Sequence, residues 1–253
     1  MGSIYNEKKL ERLEQSEHEI TEKALVKLFA AITSSQRDME RELRLFYEKY
    51  GKDGVVTYAE ARKWISERDH QRRLSWLILL IGAMFTDLFN KLHPTFNIMI
   101  LDVISKEYDF FGVALDDPKL NWGTDNLTWH DRLADDVRAW EAFIINDIKR
   151  LILMNKNVNE VVKVLDERFL TIKNVITTLV VTETTAIGSI TRRRAFKELG
   201  ISKYKYYARE DERTCEQCGA LHGLIFPVSA YEPGVTASPL HPRCRCWEVP
   251  IRE

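Results

Sequence analysis

The chain has 253 residues, of which 45% are hydrophobic and 30% charged, and its formal net charge is −1. This balance suits a globular protein of one or two domains with an ample core, and it excludes a disordered chain. The near-neutral charge lacks the basic excess that is typical of a dedicated nucleic-acid-binding domain. Any contact with DNA must therefore come from a local patch.

The sequence predicts neither an export signal nor a membrane span. Charged residues at Glu7, Lys8 and Lys9 precede any apolar run, which is unlike a secretory signal. The best membrane candidate, residues 74–86, is only about thirteen residues long, whereas a span takes about twenty. We expect a core helix there and a reducing compartment, which favours free thiolates over disulfides.

Apolar residues recur at spacings of three and four over most of residues 1–200, which predicts a helical body. It comprises one long helix over about 6–50 and a helical bundle over about 57–199. Thr57, Thr128 and Asn157 are each followed three residues later by an acid, which indicates helix starts.

Two features of the helical body indicate breaks. Pro94 is expected to end or sharply kink the second helix, because proline lacks the backbone N–H that a helix interior needs. The short helix that begins at Asn157 is expected to be separate from a last long helix over about 171–199, which Gly200 ends.

Residues 201–253 have a different character, with short strands expected over about 203–207, 221–228 and 246–251. The predicted fold is therefore mainly α. An elongated helical body over residues 1–200 carries a small, zinc-stapled β-hairpin module over residues 201–253, which makes the chain α+β overall.

All four cysteines lie in this module, as a C-x-x-C pair (Cys215 and Cys218) and a C-x-C pair (Cys244 and Cys246). Each pair can reach one ion, and a loop of about two dozen residues between pairs is normal for a structural zinc site. We predict that the four cysteines bind one structural Zn²⁺, with His241 as the alternate ligand.

Two other interpretations of the cysteines remain open. Disulfides would have to pair across the loop, because neighbouring C-x-C residues make a poor bridge. A catalytic metal would need an open coordination position, and four thiolates leave none. In the same region Asp211, Arg213 and Gly223 are predicted to shape structural turns, with Asp211 bracing Arg213.

One basic cluster, interleaved with Tyr204, Tyr206 and Tyr207, is the candidate nucleic-acid surface. Its members are Arg192, Arg193, Arg194, Lys197, Lys203, Lys205 and Arg209. The alternative is a solvated helix C-terminus, where cations are favourable in any case. The sequence shows no P-loop, no G-x-S-x-G and no H-E-x-x-H, so we expect no enzyme.

The runs D-E-R-T-C-E-Q-C-G-A-L-H-G, from Asp211 to Gly223, and S-P-L-H-P-R-C-R-C resemble the signature of the phage head morphogenesis proteins, the Mu F-like minor head proteins. Thr182 and Glu183 also match a helical Arg-Thr-Glu that is common in that family. Val181 stands where the arginine would be, so a contact made by that arginine is not expected here.

The resemblance implies a minor capsid component that acts in head assembly at the portal vertex. Its implied partners are the portal protein, the major capsid protein and, in some members, packaged double-stranded DNA. Its implied location is the virion, with the host cytoplasm during assembly. The alternatives are a zinc-stapled DNA-binding module and, third, a metallohydrolase.

Overall fold

The computed structural model describes residues 7–56, 68–113 and 126–251, and four long helices dominate these ranges. The helices are α1 (Glu7–Tyr50), α2 (Arg68–Phe111), α3 (Trp129–Leu153) and α4 (Val158–Glu198). The smaller elements are β1 (Lys203–Tyr207), α5 (Glu216–Leu221), β2 (Ile225–Pro227), a 3₁₀ turn (Val228–Ala230) and β3 (Trp247–Ile251). This architecture confirms the prediction of a mainly helical chain with a small C-terminal sheet.

Reciprocal hydrogen bonds fix the starts of α3 and α4. The Thr128 N–H donates to Asp131 Oδ2 at 2.9 Å, while Thr128 Oγ1 accepts from the Asp131 N–H at 3.2 Å. Asn157 and Glu160 exchange the same two bonds, each at 3.0 Å. Both predicted helix starts are therefore confirmed, each with the two hydrogen bonds of a capping box. The third, at Thr57, lies outside the described residues.

Two helix ends that the sequence predicted are not observed. Helix α2 continues through Pro94, because fully buried Leu92 and Phe96 carry its apolar face past the proline. Burying such side chains contributes roughly 1.5–3 kcal/mol each, which offsets the roughly 3 kcal/mol that an interior proline costs. Helix α4 likewise runs through residues 166–170, where buried Phe169 maintains the spacing between Leu165 and Ile172.

The chain forms two compact units. The first comprises residues 1–26, 95–131 and 177–253, and the second comprises residues 27–94 and 132–176. All the candidate site residues described below belong to the first unit. The domain boundary expected at residue 200 stays a prediction. Among the described helices, none is long and apolar enough to cross a membrane.

The three strands form an antiparallel sheet in the order β2-β1-β3. Strand β1 is central, with Tyr204 opposite Phe226 on one side and Tyr206 opposite Glu248 on the other. The second strand is shorter than predicted, because Leu221 ends α5 instead. A cluster of buried residues from α1, α4 and the sheet, including Leu10, Phe196 and Tyr204, forms the core of the first unit.

Candidate metal centre

The C-x-x-C pair is organised by the short helix α5. Cys215 is its N-cap residue, and its sulfur accepts a hydrogen bond from the Cys218 N–H at 3.4 Å. The C-x-C pair lies just before β3, and a turn bonds the Cys244 N–H to the His241 carbonyl oxygen at 3.1 Å. The loop between the pairs folds back, so that the two motifs meet.

The donor atoms form two overlapping groups. Within each group, every donor atom lies within 4.8 Å of the other two. One group is Cys215, Cys218 and His241, and the other is Cys218, Cys244 and Cys246. The structure thus brings together all five predicted donors, with Cys218 in both groups. All four cysteines are free, so the disulfide that would cross the loop is not formed.

Within each group, the separations suit ligands of a tetrahedral ion. Bonds of about 2.3 Å to sulfur place two thiolates about 3.8 Å apart, and the Cys218 and Cys244 sulfurs are 3.8 Å apart. His241 Nε2 lies 3.2 Å from both Cys215 Sγ and Cys218 Sγ. Its other nitrogen, Nδ1, lies 2.8 Å from the Pro242 carbonyl oxygen. Donation to that carbonyl fixes the tautomer in which Nε2 is a ligand, a common arrangement in metal sites.

The thiols differ in how readily they ionise. The backbone N–H of Cys218 lowers the pKa of Cys215. A hydrogen bond from the Cys246 thiol is the main cause that lowers the pKa of Cys244 to about 5. Burial raises the pKa of Cys218 to about 12. Because thiolates bind metals, Cys215 and Cys244 are the sulfurs best prepared for an ion.

Tyr206 belongs to the cysteine cluster, which the sequence reasoning missed. The side chain is fully buried, and its hydroxyl lies 3.6 Å from Cys218 Sγ and 3.9 Å from Cys244 Sγ. Its backbone N–H donates to the Leu224 carbonyl oxygen at 2.9 Å, and its carbonyl oxygen accepts from the Gly223 N–H at 2.8 Å. These two hydrogen bonds hold the turn after α5. The alternation K-Y-K-Y in β1 was the available signal, since alternate residues of a strand share a face.

The predicted structural turn forms, but with a different main partner. Asp211 Oδ1 accepts from the backbone N–H of Arg213 at 2.9 Å. The Arg245 guanidinium also donates to both Asp211 oxygens, at 2.6 and 2.8 Å. Hydrogen bonding to Arg245 is the main cause that holds the pKa of Asp211 well below its usual range. Gly223 adopts a φ of 78°, which glycine tolerates best.

The prediction that Arg192 contacts DNA is wrong, because Arg192 is only 1% exposed. Tyr204 and Tyr206 are also fully buried and cannot stack on bases. The Tyr207 ring packs on Trp247 with their centroids 4.9 Å apart. Lys197 and Lys203 are exposed, whereas Arg193, Arg194, Lys205 and Arg209 are partly buried. These six residues remain candidates for the basic surface.

Arg192 is the centre of a buried ionic cluster. Four carboxylates from α1, α2 and β3 lie within 4 Å of its guanidinium: Glu14, Glu17, Glu107 and Glu248. The Glu14 contact is 2.8 Å. Burial is the main cause that raises the pKa of Glu14 to about 7 and the pKa of Glu17 well above its usual value. One guanidinium cannot balance four carboxylates, so burial favours the protonated form of part of the cluster.

The comparison with protein families bears on the segment that contains the cysteine centre. The family model described as Phage Mu protein F like protein matches residues 145–249. Over these residues, the chain matches the family of Phage Mu protein F like proteins. This match confirms the resemblance seen in the cysteine motif. It supports the interpretation that the chain is a structural protein of phage head morphogenesis, which associates with other capsid components. No curated protein and no solved structure matches the chain.

Proposed function

We propose that this protein is a minor capsid protein that acts during phage head assembly at the portal vertex, with a C-terminal module held rigid by zinc. The observation that carries the proposal is the convergence of five metal donors inside the segment that the Phage Mu F-like family model matches. The proposed partners are the portal protein and the major capsid protein. The proposed location is the virion, with the host cytoplasm during assembly.

The donor set supports one structural zinc ion. We assign Cys215, Cys218 and Cys244 as ligands, with His241 as the fourth, because His241 Nε2 lies 3.2 Å from two of the sulfurs. Cys246 becomes the alternate ligand, which reverses the preference drawn from spacing. Four protein ligands leave no position for water or substrate, so this set favours a structural role over a metallohydrolase.

Zinc would act by holding two distant segments together. The C-x-x-C pair follows the central strand β1, and the C-x-C pair precedes β3, which pairs with β1 at one edge of the same sheet. The module's buried residues, among them Tyr204, Trp247 and Val249, share one core with α1 and α4. A metal would add to the folding free energy of the three short strands by joining the loops that connect them.

Contact with packaged DNA is the second candidate function. Exposed Lys197 and Lys203, at the end of α4 and the start of β1, favour it because they place two positive charges close together in the chain. Such binding should weaken steeply with added salt, whereas a protein packing interface should not.

The assembly role can be tested by complementation. A phage that lacks this gene would be supplied with the wild-type protein, the Cys218→Ser variant or the Lys203→Gln variant, and heads would be counted by electron microscopy. We expect Cys218→Ser to reduce the yield of complete heads and Lys203→Gln to support assembly. Normal yields without any copy of the protein would contradict the proposal.

A further inference from the structure

A cleft of about 370 Å³ lies beside the cysteine centre within the first compact unit. Helices α1 and α4 supply two of its walls, and the loops around the cysteine motifs supply the third. That third wall carries four arginines: Arg209, Arg213, Arg243 and Arg245. Only Arg209 belonged to the basic cluster predicted from the sequence, so the cleft is a different surface.

Two of these arginines are held in place by the protein. Arg245 is fixed by its two hydrogen bonds to Asp211. Arg243 Nε donates to Thr178 Oγ1 at 2.8 Å, and its backbone N–H donates to Thr182 Oγ1 at 3.0 Å. A ligand would therefore meet guanidinium groups that are already ordered, which lowers the entropic cost of binding.

The opposite wall, from α1, carries less negative charge than its composition suggests. Glu14 accepts a hydrogen bond from Arg192 at 2.8 Å, and burial raises the pKa of Glu17 well above its usual value. Glu22 is exposed on the same wall. The four arginines, of which Arg245 is paired with Asp211, outnumber the α1 carboxylates in the cleft that do not contact Arg192.

The floor of the cleft is small and polar. Thr177, Thr184 and Thr185 line it together with Val181 and Leu25. An apolar ligand would have to desolvate four guanidinium groups, which is unfavourable. An anion with several oxygens suits the charged wall.

We propose that this cleft binds a phosphate group, carried either by a nucleic-acid backbone or by a small phosphorylated molecule. Arginine is the side chain best suited to this chemistry, because its planar fork matches two phosphate oxygens at once. The cleft is larger than a single ion requires, so there is room for the group that carries the phosphate. The inference does not depend on the proposed role in head assembly.

The test compares two double variants that each remove two positive charges. Arg213→Gln/Arg243→Gln alters the cleft, and Lys106→Gln/Lys163→Gln removes two exposed lysines that belong to neither basic surface. Binding of a labelled short DNA duplex and of a labelled single strand would be measured by fluorescence anisotropy between about 50 and 200 mM salt. Metal content and melting temperature would show that each variant is folded.

If the ligand is a nucleic-acid backbone, the cleft variant should lose at least about tenfold in affinity for DNA. The slope of its log affinity against log salt concentration should fall by about 2. The lysine variant should then change affinity by less than about threefold. If the ligand is instead a small phosphorylated molecule, inorganic phosphate and ATP should raise the melting temperature of the wild-type protein and of the lysine variant. They should not raise that of the cleft variant.

The proposal is overturned if neither nucleic acid nor small phosphates bind in an arginine-dependent way. It is equally overturned if both double variants lose the same affinity, because general charge would then explain the binding. Both failures leave the head-assembly proposal untouched, since complementation tests it separately.

Discussion

Arg245 donates hydrogen bonds of 2.6 and 2.8 Å to the two carboxylate oxygens of Asp211. Asp211 begins the turn before the C-x-x-C pair, and Arg245 lies inside the C-x-C pair. Two-point pairing of this kind fixes orientation as well as distance. It therefore aligns the two halves of the cysteine centre before any metal binds.

Asp211→Asn should weaken metal retention, because an amide offers one acceptor oxygen where the carboxylate offers two. We expect zinc to be lost at a lower chelator concentration than from the wild-type protein. The difference should shrink at high salt, since the pair is accessible to solvent. Glu210→Gln, at the exposed neighbouring residue, is the control. Equal chelator sensitivity of all three proteins would mean that the pair does not organise the centre.

Cys218→Ser should abolish metal binding, because Cys218 belongs to both groups of donors. Elemental analysis should find about one zinc per chain in the wild-type protein and none in the variant. Far-ultraviolet circular dichroism should retain most of its helical signal, since the four long helices lie outside the cysteine module.

Chelator titration of two further variants distinguishes the fourth ligand. With His241 as the ligand, His241→Gln should lose zinc at low chelator concentrations, and Cys246→Ser should keep it. The reverse order would restore the ligand set of four cysteines.

Tyr206→Phe should lower zinc affinity by about tenfold, in line with the loss of other groups that hydrogen-bond to metal ligands. The change removes only the hydroxyl that lies 3.6 Å from Cys218 Sγ. Competition with a chromogenic chelator measures the affinity, and cobalt substitution reports on thiolate geometry. Tyr207→Phe is the matched control on the same strand. An unchanged affinity for Tyr206→Phe would show that the hydroxyl only fills space.

Arg192→Gln should destabilise the protein by roughly 3–5 kcal/mol, because it leaves buried carboxylates without their cation. Chemical denaturation would measure the free energy of unfolding. Lys197→Gln, at an exposed residue of the same helix, should stay within about 0.5 kcal/mol of the wild-type value. Comparable stability of both variants would contradict the central role of Arg192 in the buried cluster.

Stability should fall as the pH rises from about 4.5 towards about 7. Burial raises the pKa of Glu14 from 4.5 to about 7, so the folded chain holds a proton that the unfolded chain has already released. The stabilising contribution is present below the unfolded pKa and is lost as the pH rises through the folded one. For Glu14 the loss is on the order of 3 kcal/mol.

Glu17 extends this dependence to higher pH, because its pKa is raised well above 4.5. Glu17→Gln should therefore flatten the stability profile above about pH 7. Denaturation at several pH values would measure the profile, with Glu22→Gln as the exposed control on α1. A Glu17→Gln profile identical to that of the wild-type protein would show that Glu17 does not titrate in the folded chain.

Local patterns made part of this molecule predictable. The capping boxes at Thr128 and Asn157 depend on residues three apart, and the five metal donors are identified by their spacing. The position of Arg192 was not predictable, because it depends on Glu14, 178 residues away in sequence, and on Glu107, 85 residues away. Within α4 the sequence shows only an arginine next to two others, which is typical of an exposed surface.

Pro94 shows a second case in which a local rule fails. The local rule favours a helix end, but buried residues before and after the proline maintain α2. The role of Tyr206 could be predicted in part. Strand alternation indicates that its side chain is buried, but only the folded loop places the thiols beside it. Long-range packing thus decided each feature that the local rules missed.

The measurement that tests the central claim most directly is quantitative mass spectrometry of purified virions and procapsids from the phage that encodes this chain. Counts would be scaled to the portal protein. The proposed function predicts a few copies per particle. Absence of the protein from both virions and procapsids would contradict a role as a minor capsid component.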